Sequence, residues 1–312
     1  MTRYVLRRLA GMLPVLGVAL VVTFLAAYAL PGDPVMMMLS DYSSDEAMAA
    51  RLRAEYGLDQ PLLWQFLDYV AGLPFGDFGM SYRYVRTPVS EVLADGLLIS
   101  PVLAVAALAL SVPLGTAAGA VAAVRRNTWI DTAIILVLVI GLSVPNFAIA
   151  TFLVYILSIK LSLLPVAGWG TWQQAIMPVV ILAIPSAAYI ARLARTFMLE
   201  VLEQDYIRTA RAKGLSERLV VGRHALKNIL VPLLTSAGII FGTLITGTFV
   251  VEIIFNIPGL GRIAIESVFA RDYPTAMAVV LLFTLFYVGI NLVVDVAYAL
   301  IDPRIRDRTV RT

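Results

Sequence analysis

Apolar and polar positions in this chain are sorted into long blocks instead of alternating at a helical or strand period. Six apolar blocks stand out, at residues 9–30, 100–124, 130–157, 176–193, 229–255 and 276–301. Each is close to or above the roughly 20 residues with which a helix crosses a hydrocarbon core about 30 Å thick. A helix apolar on every face belongs in lipid or deep inside a large protein. The blocks therefore predict an all-α polytopic membrane protein of six transmembrane helices. The third block is long and contains Pro145. A proline inside a helix removes one backbone hydrogen bond and crowds the preceding turn, so a tilt or kink is expected there.

Between the first two blocks the pattern turns polar. Residues 31–98 carry ten acids against four arginines. Ser43-Ser44-Asp45-Glu46 has the spacing of a capping box, opening a helix that should stop near Gly57. Thr87-Pro88 opens a second short helix, with proline at its first position and Gly96 as a possible stop. The organisation expected is a first helix plus a small helical insert over 1–98, then a core of five helices over 99–303 and a tail over 304–312. Within the core, residues 195–228 form a loop.

Composition and charge add orientation. The chain is 60% hydrophobic and 14% charged, with a mean hydropathy of +0.86, whereas soluble proteins carry about 25% charged residues. Seventeen of its 24 lysines and arginines fall in four segments: Arg3, Arg7 and Arg8; Arg125 and Arg126; the 192–227 stretch; and Arg304, Arg306, Arg308 and Arg311. Basic loops stay on the cytoplasmic side. Both termini are therefore expected in the cytoplasm and the 31–98 insert outside it, and the net charge of +3 requires no nucleic-acid partner. The N-terminus also imitates a cleavable signal peptide, ending at Ala27-Tyr28-Ala29. Its apolar run exceeds the roughly 7–15 residues of such signals, which favours a retained helix.

Several chemistries are missing from the sequence. There is no cysteine, and the one histidine, His224, lies in a basic segment without clustered carboxylates, so no ordinary metal site is expected. No Gly-x-Ser-x-Gly elbow occurs, and none of Lys160, Lys213 and Lys227 follows a phosphate-binding glycine loop. No catalytic residue is assigned. Energy for uphill transport would have to come from an ion gradient or from another polypeptide.

Lipid gives apolar side chains no reason to associate, so membrane helices meet through small residues and polar contacts. Ser111, Gly115, Gly119 and Ala123 recur every four residues in the second block, as do Gly238, Gly242 and Thr246 in the fifth. These are the expected packing faces, within the chain or toward a second subunit. Ser143, Asn146, Ser186, Ser236 and Thr243 are polar at membrane depth, the first three beside Pro145 or Pro185. They are candidates for a translocation path, or they only satisfy neighbouring helices. Glu252 and Asp295 fall near the ends of their blocks and read as interfacial.

The stretch after the fourth block is the most informative. Asp205-Tyr206-Ile207-Arg208-Thr209-Ala210-Arg211-Ala212-Lys213-Gly214 reads as a short helix with an acidic start and a glycine stop, and Ser216 would cap the next helix. The orientation rule accounts for the basic residues but not for the caps. This stretch resembles the coupling loop of ABC importer permeases of the peptide-type branch, which includes dipeptide, oligopeptide, glutathione and nickel systems. Further likeness lies in Leu30-Pro31-Gly32-Asp33-Pro34, Tyr56-Gly57-Leu58-Asp59-Gln60-Pro61-Leu62, Phe255-Asn256-Ile257-Pro258-Gly259-Leu260-Gly261 and Asp302-Pro303-Arg304-Ile305-Arg306. The resemblance spans essentially the whole chain.

What it implies is a type I importer permease in the bacterial inner membrane, forming half of a pathway for short peptides or related solutes. It implies pairing with a homologous second permease, two ATPase subunits that bind ATP and Mg, and an extracytoplasmic solute-binding protein. Asp205, Arg208, Thr209, Ala210, Arg211, Lys213 and Gly214 would form the ATPase-coupling segment, with Arg208, Thr209 and Ala210 at the positions of the family's Glu-Ala-Ala. The alternative is a self-contained secondary carrier or channel, which calls for membrane-depth acids or inverted repeats that the sequence does not display. The retained first helix has a direct check. The intact mass of the purified protein should include residues 1–29, and a mature N-terminus at Leu30 would leave five spans.

Overall fold

A computed structural model describes residues 2–29, 34–39 and 46–301 of the chain. The described residues are helical, with no strand beyond an isolated bridge between Met80 and Pro88. They form two compact units. One is built around Pro101–Ile257 and includes the residues of the last helix from Tyr287 onward; the other comprises Leu9–Ser100 and Pro258–Phe286. The division expected near residue 98 follows sequence, whereas the second unit draws on both sides of it.

The first helix, α1, runs Thr2–Ala29, and its most apolar window is not buried against the rest of the chain. Short helices α2 (Pro34–Met38), α3 (Glu46–Glu55), α4 (Leu62–Gly72) and α5 (Val89–Ala94) follow. α3 ends as expected, with Gly57 at φ +66°. Ser43–Asp45 of its anticipated capping box lie outside the described residues, as do Leu30–Asp33, Asp302–Arg306 and the rest of the tail. Two details of the insert depart from expectation. Pro88 is the N-cap of α5, with Val89 the first helical residue. Gly96 is not a left-handed stop but a point of close approach. A side-chain carbon there would sit 2.9 Å from Ile263 and 3.2 Å from the backbone of Gly259 and Leu260.

Those contacts come from α13 (Leu260–Phe269), which follows Gly259 and is pinned at its start by the Leu260 amide donating to Ser100 Oγ at 2.8 Å. Val89, Leu93, Leu260, Ala278, Val279 and Leu282 form the apolar core of this unit. Its polar centre is the buried Asp272, whose carboxylate accepts hydrogen bonds from the Ser81 hydroxyl, the Tyr82 amide at 3.0 Å and the Thr275 hydroxyl at 2.8 Å. A buried carboxylate is tolerated when its oxygens are satisfied in this way. Nearby, Glu266 receives Arg262 at 2.6 Å and Arg83 at 3.0 Å. The Arg262 hydrogen bond holds the Glu266 carboxyl below its ordinary value of 4.5; Arg83 adds to the effect and partial burial opposes it.

The larger unit contains α6 (Ile99–Val124), α7 (Trp129–Ser143), α8 (Asn146–Leu153), α9 (Trp172–Leu202), α10 (Asp205–Ala212), α11 (Glu217–Leu219) and α12 (Leu226–Ile254). α8 runs on into a π-helical stretch, Val154–Lys160, and α11 joins α12 through another, Val220–Ala225. The last helix, α14, spans Tyr273–Ile301. Among the described residues, five helices are long and apolar enough to cross a membrane, and the count is six if the bent pair α7–α8 is one span.

α9 is the centre of the larger unit, packing on α7 and α12. A capping box between Thr171 and Gln174 starts it, four residues before the apolar block begins. α6 lies directly on its backbone. A side-chain carbon at Gly115 would stand 2.6 Å from the carbonyl oxygen of Ala187, and one at Gly119 would collide with the Ala191 carbonyl and Arg195 amide. Ser111, also buried on α6, donates to the Leu108 carbonyl at 3.1 Å. On α12, Gly238 faces Asn291 and Gly242 faces the Tyr287 ring of α14. Arg8 near the start of α1 pairs with Asp295 near the end of α14 at 3.1 Å.

Pro145 does more than kink the third block. α7 and α8 meet at 102°. Val144 is extended at φ −84°, ψ 123°, the conformation imposed on a residue before proline, and Pro145 becomes the N-cap of a new helix. Pro185 behaves differently. α9 continues unbroken through both Pro178 and Pro185. Pro178 and Ser186 are buried among neighbouring helices, the setting in which a proline is accommodated inside a membrane helix.

Gly115→Ala should lower the thermal unfolding midpoint of the detergent-solubilised protein, because the added carbon meets rigid backbone; overpacking of this kind costs about 1–3 kcal/mol. Gly247→Ala on α12, where nothing lies within 4 Å of the new carbon, should be neutral or stabilising by about 0.4–1 kcal/mol. Equal midpoints for the two variants would contradict the α6–α9 contact. The Glu266 triad gives a pH signature. Because the folded carboxyl titrates below its ordinary value, its contribution is complete above pH 4.5 and disappears as pH falls through the lowered value. Glu266→Gln should flatten the acid limb of a midpoint-against-pH curve, and an unchanged limb would exclude the triad as its source.

Candidate functional site

The segment singled out after the fourth block is well defined. α9 ends at Leu202, Glu203 is its C-cap, and Gln204 is already the N-cap of α10, so two residues separate the helices. α10 is strongly two-sided. Ile207 and Ala210 are buried, while Asp205, Tyr206, Arg208, Thr209, Arg211, Ala212 and Lys213 are exposed. Ala210 therefore anchors the helix to its own chain, and the other candidates form its outward face.

α10 closes on a Schellman turn. The Gly214 amide donates to the Arg211 carbonyl at 2.9 Å and the Leu215 amide to the Ala210 carbonyl at 3.4 Å. Gly214 sits at φ +77° with nothing within 4 Å of where a side chain would begin. Glycine is required there by backbone conformation and not by space. Arg211 reaches across the turn to Glu217, at 2.7 and 3.3 Å. Ser216 occupies the N-cap position of α11, but its side chain makes no capping hydrogen bond. The result is a rigid, exposed, mainly basic helix ending in a stapled corner.

The translocation candidates are not gathered in one place. Ser143 is the exposed last residue of α7 and Asn146 the half-buried first residue of α8, on either side of the bend. Ser186 is buried and donates to the Leu182 carbonyl at 3.1 Å. Ser236 donates to Pro232 at 3.0 Å and Thr243 to Ile239 at 3.3 Å. The last three are satisfied one turn back on their own helices, as hydroxyls in membrane helices commonly are. Glu252, anticipated as interfacial, is fully buried one turn beyond the buried Thr248.

One pair escaped the sequence reading. Asp131 on α7 and Arg195 on α9 form a two-pronged ion pair, Nε to Oδ1 and Nη2 to Oδ2, both at 2.8 Å. Asp131 is the second residue of the third apolar block and Arg195 lies two residues beyond the fourth, and only the packing of α7 on α9 brings them together. In the smaller unit a cavity of about 390 Å³ lies among Phe24, Tyr28, Arg53, Gln65, Tyr82 and Tyr273. None of the sequence-derived candidates lines it.

Long apolar helices, one pair of them sharply bent, and a basic helix anchored through Ile207 and Ala210 define a polytopic membrane protein of helical type. Comparison with known proteins gives the family. Residues 115–307 match the family described as "Binding-protein-dependent transport system inner membrane component", and residues 1–91 match "Binding-prot-dependent transport system membrane comp, N-term". The chain belongs to this family and is a permease subunit of an ABC importer. It is 43% identical over 306 residues to the glutathione transport system permease protein GsiC of Shigella flexneri serotype 5b (strain 8401), covering 98% of this chain and 99% of the relative. It is 42% identical, with the same coverage, to GsiC of Escherichia coli (strain K12). Among solved structures, an inward-facing conformation of the MetNI methionine ABC transporter (CY5 native crystal form) aligns with a TM-score of 0.58 at 19% identity. That alignment covers 68% of this chain and 96% of the other, and the likeness is one of fold.

Proposed function

We propose that this chain is one of two homologous permeases in a peptide-type importer, and that α10 is the element through which ATPase subunits drive it. The observation that carries the reading is the shape of α10: buried Ile207 and Ala210 hold it to the bundle while its basic outer face ends in the Gly214 turn. A helix fixed on one side and free on the other suits insertion into a cleft on a separate protein. Two ATPase subunits would supply that cleft and bind ATP and Mg; this chain has no phosphate-binding glycine loop of its own. Closure of the ATPases on nucleotide would then move α10 and α9 as one body, a rigid-body form of switching.

The pathway would lie between this chain and the second permease, a heterodimer, with Ser143, Asn146, Ser186, Ser236 and Thr243 as candidates along it. An extracytoplasmic solute-binding protein would deliver the substrate. The basic-residue distribution supports cytoplasmic termini, and the Arg8–Asp295 pair supports placing the two ends on one side of the membrane. The substrate class we assign is short peptides; the similarity to permeases named for glutathione transport favours this.

Gly214→Asp tests the coupling role. A left-handed conformation costs a non-glycine residue roughly 1 kcal/mol. A negative charge at the negative end of the α10 dipole adds about 0.3–1 kcal/mol. Neither prevents membrane insertion, because the spans are unchanged. Membrane levels should stay normal while ATPase copurification and ATP-dependent uptake of radiolabelled glutathione or a dipeptide are lost. Arg218→Ala, which leaves the turn intact, should be milder. Full transport by Gly214→Asp at normal expression would show that α10 is not the coupling element.

A further inference from the structure

The larger unit places a second ion pair near the first. Arg126 lies in the turn between α6 and α7 and reaches Glu203 at 3.2 Å. Asp131, in the first turn of α7, holds Arg195. On α9 these two contacts are about two turns apart, and the second is made to the C-cap residue, next to the N-cap of α10. The two pairs differ in kind. Arg126 and Glu203 are both more than half exposed, whereas the Asp131 side chain is 5% exposed and that of Arg195 25%. Solvent screens the outer pair, so the inner one carries the geometry.

Asp131 is itself fixed. Its Oδ2 accepts the amide of Asn127 at 3.1 Å, and Asn127 adopts the left-handed conformation at φ +62°. Arg195 is fixed from another side, since Gly119 of α6 lies against its backbone amide. A planar guanidinium gripped by both carboxylate oxygens allows one relative placement of its two helices; a single hydrogen bond or an apolar contact allows many. Buried ion pairs add little net stability over apolar residues of similar volume, and selection of one register is their best-attested use.

We propose that Asp131 is a positioning residue. By holding Arg195 it sets the register of the end of α9, and so the place where α10 is presented. This rests on α10 being the coupling helix, but the clamp can be read independently of ATPase binding. The chain has no cysteine, so spin labels can be attached at introduced Val121→Cys on α6 and Glu200→Cys near the end of α9, both exposed positions outside the docking face of α10. The labelled chain is measured in the assembled transporter, its other subunits made cysteine-free. The parent should give a single narrow distance. Asp131→Asn should lose that narrow distance while ATPase subunits still copurify, because the outer face of α10 is unchanged. Arg195→Lys keeps the charge without the fork and should also broaden it. The double variant Asp131→Leu/Arg195→Met removes the buried charges together, assembles even where Asp131→Asn alone does not, and should remain broad. An unchanged narrow distance in the double variant, or in Asp131→Asn, overturns the proposal. Retained ATPase association and transport in Gly214→Asp would instead overturn the coupling role of α10 and leave the distance result standing.

Discussion

The nearness of α6 to α9 governs the larger unit. In lipid no hydrophobic force drives two apolar helices together, so contact depends on how closely their backbones can come. Gly115 and Gly119 remove the side chains that would keep them apart. α9, with α6 against its backbone, then supports α7 and α12, and Gly238 and Gly242 let α12 accept Asn291 and Tyr287 of α14 in the same way. Where small residues have set the approach, charged ones can be specific: Asp131 meets Arg195 squarely only because α7 and α9 are already close.

The prolines show how much context decides. Pro178, Pro185 and Pro232 lie inside continuous helices, yet Pro145 ends one helix and starts another at 102°. Each lacks the same backbone donor. At Pro145 the preceding Val144 takes the extended conformation and the chain does not return to its former axis. α9 packs on α7, α8 and α12 and stays continuous through its two prolines. Broken helices at membrane depth are tolerated where protein or water can satisfy the freed groups.

The smaller unit depends on polar satisfaction more than on apolar burial. Asp272 gathers the Ser81 hydroxyl, the Tyr82 amide and the Thr275 hydroxyl about one carboxylate, and Glu266 gathers two arginines. Three of these contacts, from Ser81, Tyr82 and Arg83, join residues more than 180 positions apart in the chain, tying the insert after α1 to the segment before α14. These networks satisfy the buried polar groups of the unit at fixed positions.

Much of this was legible in the residues themselves. Apolar length determined the number and order of the crossings, since a helix in lipid must satisfy its own backbone over about 30 Å whatever its neighbours are. Local backbone chemistry determined α10 and its stop at Gly214, because a Schellman turn needs only the residues within it. The glycine stripes announced close packing, though not their partners. What the tertiary structure alone decided is every contact that joins distant segments. Gly96 read as a local stop because its role, making room for Gly259 and Leu260, lies more than 160 residues away. Glu252 read as interfacial from its place near the end of its block, and that place does not say that protein encloses its side chain. The Asp131–Arg195 pair could not be read at all, since a pair is a property of two helices in register, and no single segment contains that register.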